Sequence, residues 1–330
     1  MRPPDFILAE LQARGLLPEA QATAIAADEA RRPFSLHYEL RLLLYVGILL
    51  LSGGLGVLIY QHLDELGHGV VVAGIALLML AAFGYAWHRR QPFTWAEAPR
   101  AGFLPDYSLL LGCLLFVTLE TYLQVQYQLF GTRYGLAVVL PAVLFLLLAY
   151  RFDHRGVLAM GITALASWLG VTVQPVSAFA ANDFFTSHLS VTAILLGLGL
   201  MLAGLASERL DRKAHFAFTY LSLGSNLLLI AATASLLDFT PQGGFSPWLL
   251  VPLILLVCAA LVWYARRTHS YLFLLMGVGY GYVVVTYLLF RLLALAEDDS
   301  PYWLMIYYFP LSAAGVVWFL INLKKILRLR

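Results

Sequence analysis

The chain has 330 residues, 61% hydrophobic and only 12% charged. A soluble domain carries about a quarter charged residues to cover its surface, so a single soluble globule is excluded. The formal net charge of +2 is small, and its basic residues lie in scattered segments, which excludes a nucleic-acid footprint.

Residues 1–34 read as a small cytoplasmic helical hairpin. Asp5 to Arg14 reads as one helix, with Gly15 where a left-handed cap belongs. Pro18 opens a second helix that runs to Arg32. Ile7, Leu8, Leu11, Leu16, Leu17 and Ile25 offer a shared apolar face. A segment this short builds little core alone. Residues 4–32 are therefore expected to dock on the membrane part, on a protein partner, or on a second copy of the chain. No short apolar region with a small-residue cleavage site follows the start. The first apolar run, near Leu42, is read as a membrane anchor.

Ten apolar runs follow, at 42–61, 68–88, 106–125, 133–150, 156–173, 188–206, 215–237, 247–265, 270–292 and 302–323. Most match the length that crosses a hydrocarbon core of about 30 Å. Backbone groups in lipid must be satisfied internally, so each run is read as a helix. The expected fold class is all-α. A transmembrane bundle of about ten spans occupies residues 42–323, and 324–330 form a basic cytoplasmic tail.

The basic residues test this map independently. Arg2, Arg14, Arg31, Arg32 and Arg41 precede the first span. Arg89, Arg90 and Arg100 follow the second, Arg151 and Arg155 the fourth, and Arg209, Arg212 and Lys213 the sixth. Arg266 and Arg267 follow the eighth, and Lys324, Lys325, Arg328 and Arg330 the tenth. Of the 21 basic residues, 19 thus fall on one side and only Arg133 and Arg291 on the other. Positive loops stay cytoplasmic, so both termini are expected there. The membrane is read as the inner (cytoplasmic) membrane of a bacterium. Trp248, Tyr302 and Trp303 at outer ends, with Trp87 and Trp263 at inner ends, form interfacial belts.

Three inner turns share a pattern of a basic cluster plus a histidine, then a helix with a glycine two turns in. They read Arg151…His154…Gly161, Asp211…His215…Gly224 and Arg266…His269…Gly277. Repeated helix pairs occur in transporters and in scaffolds alike.

Glu120 is the one acidic residue deep inside a span. Intramembrane carboxyls are costly and mark functional sites by default. Two readings stand for it. Glu120 lines a substrate or ion path with Ser222 and Asn226 of the seventh span, whose polar stripe also holds Thr219, Ser225 and Thr233. Alternatively, Glu120 forms a structural ion pair with Arg133 or Arg291, the two outer-side basic residues. The polar stripe has its own plain reading as helix–helix glue.

Pro141, Pro252 and Pro310 lie inside spans. Gly277 and Gly281, a small-xxx-small pair, favour close packing. Cys113 and Cys258 fall in apolar runs and read as buried small hydrophobes. His88, His154, His215 and His269 lack metal-site spacing and are expected to meet lipid headgroups. No nucleotide loop, nucleophile elbow, haem or zinc spacing is present, so no catalytic residue, cofactor or metal is expected.

The N-terminal stretch Leu11-Gln-Ala-Arg-Gly15-Leu-Leu-Pro18-Glu-Ala-Gln21…Ile25, followed by Arg41-Leu-Leu-Leu-Tyr45-Val-Gly47-Ile-Leu-Leu-Leu-Ser-Gly-Gly54, resembles a family of uncharacterised bacterial membrane proteins. The resemblance spans roughly the first 90 residues. It implies a short cytoplasmic helical domain before many membrane helices, and it maps no catalytic residue. The expected function is transport of a small or lipid-like solute, proton-coupled through Glu120. The alternative is a non-catalytic assembly or signalling subunit. An intramembrane enzyme would need several reactive groups at one depth, and only Glu120 sits deep.

Overall fold

The computed structural model describes residues 36–61, 67–98, 102–131, 134–173, 187–237, 246–293 and 300–322, with nine positions between 12 and 25. Among them are ten α-helices, one 3₁₀ turn and no strand. In chain order they are α1 (Leu36–Gln61), α2 (His68–His88), α3 (Phe103–Tyr127), α4 (Tyr134–Phe152), α5 (Arg155–Val173) and α6 (Ser187–Arg209). The 3₁₀ turn Ala214–Phe216 leads into α7 (Ala217–Leu237), α8 (Pro247–Thr268), α9 (Tyr271–Leu293) and α10 (Ser300–Ile321). Helices α2 to α9 are each long and apolar enough to cross a membrane. Within the described residues α1 and α10 carry shorter apolar stretches, Leu42–Leu51 and Ile306–Phe319.

The chain divides into two units, Met1–Gly67 and His68–Arg330. In the first unit, Gly15 has φ 68° and donates its N–H to the Gln12 carbonyl at 2.9 Å, the left-handed helix end expected there. Pro18 accepts from Gln21 and Ala22 at 3.0 Å each, as a first-turn carbonyl does. Ala22 is buried, and Ile25, of the expected apolar face, is 44% exposed. The other face residues except Leu17, and most of the expected hairpin, lie outside the described residues. So does the tail 324–330.

The second unit is built from helix pairs. The most extensive packing is within α2–α3, α4–α5, α6–α7 and α8–α9. Each pair is joined at the end where the basic residues gather. Connections of two to seven residues set three of these pairs antiparallel and adjacent, whereas 14 residues join α2 to α3. The largest apolar core lies among α6 to α9, around Leu228, Leu229, Leu250, Ile254, Phe273 and Val284. Helix α7 is the most enclosed, with half of its span buried. Pro141, Pro252 and Pro310 lie inside α4, α8 and α10, and both cysteines are free and buried.

Glycine makes the close pairs possible. A Cβ on Gly224 of α7 would sit 2.8 Å from Leu200 Cβ and 2.9 Å from the Gly197 carbonyl of α6. On Gly277 of α9 it would sit 2.9 Å from the Cys258 carbonyl, and on Gly161 of α5 3.1 Å from Leu146. The three repeated glycines thus each meet the preceding helix. The turns also correspond, with a changed register. Asp153 (φ 57°) and His269 (φ 53°) take the same left-handed position, each eight residues before its glycine. The next residue donates five back in both, His154 to Ala149 and Ser270 to Ala265, each at 3.1 Å. The histidines aligned by sequence are therefore not equivalent.

Candidate functional site

Among the described residues of the second unit, two sets of buried ionisable groups stand out. The first is Glu120 on α3. The Leu-rich sequence around it makes helix, and seventeen residues from Phe103 at about 1.5 Å each put it about 26 Å from the basic end. Glu120 is 8% exposed, and its Oε1 has no hydrogen-bond partner. One turn on, Gln124 is also buried, but its Nε2 donates to the Gly131 carbonyl and its Oε1 accepts from Phe130 N–H, each at 2.9 Å. That amide closes the end of α3, where Gln128 turns left-handed at φ 47°. His68 Nδ1 and the Tyr122 hydroxyl, 2.7 Å apart, tie α2 to the same end of α3.

Of the expected companions of Glu120, those among the described residues have other partners. Helix α3 packs on α2, α4 and α5, while α7 packs on α5, α6, α8 and α9. Asn226 lies about 14 Å from the basic end of α7 by the same rise, about 12 Å nearer that end than Glu120. Its Oδ1 accepts from the Tyr280 hydroxyl of α9 at 2.7 Å. Ser222 donates to the Thr219 carbonyl at 3.2 Å, and Ser225 to the Leu221 carbonyl at 2.6 Å. Thr233 returns to the carbonyls of Leu229 and Ile230. Such bonds let small polar residues be buried in an apolar helix. Arg291 is exposed and donates to the Tyr287 hydroxyl at 2.8 Å. Arg133 lies outside the described residues.

The second set was not expected. At the basic end, Asp153 Oδ1 meets Lys213 Nζ at 2.8 Å and His215 Nε2 at 2.5 Å. The three side chains are only 7%, 1% and 7% exposed. Asp153 Oδ2 accepts from the Ala98 N–H at 2.6 Å. Lys213 N–H donates to the Trp95 carbonyl at 2.8 Å, and its ammonium faces the rings of Phe93 and Phe216 at 5.4 and 5.9 Å. The loop between α2 and α3 is thus pinned by two other turns. Arg155 adds a 3.0 Å bridge to Glu97 at the more exposed edge. His215 is therefore not a headgroup contact: burial against Asp153 takes it out of reach. His154 Nδ1 accepts from Val157 N–H at 3.1 Å and caps α5.

Asp153 has a depressed pKa. Burial acts to raise it, but the bonds from Lys213 and Ala98 and the charges of His215 and Lys213 outweigh that. The sequence held one signal for this cluster, an acid inside a basic turn, Arg151-Phe-Asp153-His154-Arg155. Its partners lie about sixty residues away, so spacing could not name them. Among the described residues no group of His, Cys, Asp and Glu could hold a metal ion.

Residues 9–158 match the family described as Predicted membrane protein (DUF2157). The match reaches well past the first 90 residues and includes α1 to α4 and Asp153, but stops before Lys213 and His215. No curated protein and no solved structure matches the chain.

Proposed function

We propose, for a chain whose residues 9–158 fall in that membrane-protein family, that it is a proton-linked transporter for a small or lipid-like solute. The observation that carries the reading is Glu120, a buried carboxyl in a span with one oxygen that has no hydrogen-bond partner. Structural carboxyls in apolar surroundings are held by partners. A carboxyl with one oxygen left unpartnered is suited to take up and release a proton. All ten helices span in this reading, with the basic end cytoplasmic and the membrane the inner one. The path uses Glu120 on α3, and the Ser222 and Asn226 groups of α7 serve helix packing, because each already has a partner. Sparse polarity between the helices favours an apolar substrate over a hydrophilic one.

The test is proton movement into proteoliposomes carrying an internal pH dye, challenged with a panel of lipophilic solutes. The parent protein gives solute-dependent flux above empty liposomes. Glu120→Gln lowers it at least tenfold at unchanged helicity. Equal flux in both proteins, or no flux in the parent, defeats the reading and leaves the assembly or signalling role.

A further inference from the structure

We propose that the ends of α2 and α4 form a binding site for the phosphate of an anionic phospholipid headgroup, built from Trp87, Arg90 and Arg151. One indole carries two guanidinium groups. Arg90 Cζ lies 4.1 Å and Arg151 Cζ 5.6 Å from the Trp87 ring centroid. The platform is fixed from behind, since Phe152 meets Trp87 edge-on at 5.9 Å. Arg151 is anchored by one bond, from Nη1 to the Gln91 carbonyl at 3.1 Å, and a guanidinium has five donors.

Among the described residues the charge here is uncompensated. Nearby, Glu97 pairs with Arg155 and Asp153 with Lys213. Among the described residues no carboxylate lies within ion-pair distance of Arg90 or Arg151. Two like charges held at one ring call for an anion, and the guanidinium fork matches phosphate oxygens. The surroundings favour a lipid over free phosphate. Trp87 is half exposed, as an interfacial ring is. Exposed Leu80 lies two turns along α2 from Trp87, and exposed Leu147 one turn along α4 from Arg151. These same helix faces continue into the apolar zone, where acyl chains would lie.

Native mass spectrometry of the purified full-length protein, with equal phosphatidylglycerol and phosphatidylcholine in the detergent, tests this. The parent retains phosphatidylglycerol several-fold over phosphatidylcholine. R90Q/R151Q brings that ratio several-fold toward parity, whereas R266Q/R267Q at another turn leaves it unchanged. R90K/R151K, which keeps the charge, retains more phosphatidylglycerol than R90Q/R151Q at equal helicity, separating charge loss from misfolding. Trp87→Ala lowers retention as well, and serves alone should the glutamine variant not fold. Unchanged retention in R90Q/R151Q or in Trp87→Ala overturns the proposal. Displacement of the lipid by millimolar inorganic phosphate also overturns it, because the site would then recognise the free anion.

Discussion

Lys213 shows what one residue needs in order to be buried at the edge of a membrane bundle. Its ammonium is 1% exposed, and it has a carboxylate at 2.8 Å and two ring faces within 6 Å. Removing one partner of a buried pair leaves an uncompensated charge and costs about 3–5 kcal/mol. Asp153→Ala should therefore lower thermal stability in detergent by that order. Adding Lys213→Met should recover part of the loss, because no lone charge remains. The pH dependence has a definite sign. The folded pKa of Asp153 lies below its unfolded value of 3.8. Its contribution is complete above that value and is lost as pH falls through the folded pKa. A melt followed from pH 6 downward should show an acid-side loss that is smaller in Asp153→Ala. Glu120 presents the opposite arrangement, a buried carboxyl with a free oxygen. Its depth was legible from its place in an apolar run. That Arg291 is not its partner was not legible, since Arg291 lay at a suitable sequence depth and instead bonds Tyr287.

At the scale of elements, the ends of α2 coincide with a change from apolar to charged sequence. The run expected at 68–88 is the helix His68–His88. Acidic Asp64 and Glu65 lie before it and Arg89 and Arg90 after it, so the boundary is chemical. Helix contacts depend on shape. Gly224 has a neighbouring carbonyl at 2.9 Å from its virtual Cβ, while Gly279 has nothing within 4 Å. Gly224→Ala should destabilise by about 1–3 kcal/mol through overpacking. Gly279→Ala should be neutral or stabilise by up to about 1 kcal/mol. Thermal melts of both variants in one detergent measure the difference. Equal melting points would mean that the α6–α7 contact is looser than described. The sequence repeat marks Gly224 and not Gly279, but only the structure shows what each would meet.

For the whole molecule, the alternation of basic segments makes a prediction about the orientation of the chain. Of the 21 basic residues, 19 fall on one side of the expected ten-span map, so that map predicts both termini in the cytoplasm. Reporter fusions after residues 269 and 330 should be active in the cytoplasm. A fusion at 243 should be active only outside. A reversed pattern at any one site would break the ten-span count. The amino-acid sequence by itself determined the all-α class, the helix positions and the sidedness of charge. Hydrocarbon length and unsatisfied backbone groups act locally, and each run reports on them alone. Only the tertiary structure decided which groups meet. Asp153, Lys213, His215 and the Trp95–Ala98 loop come from three separate turns, and their pairing depends on which helix pairs lie side by side. That choice is made by packing at glycines and by the burial of charge, which no single segment encodes.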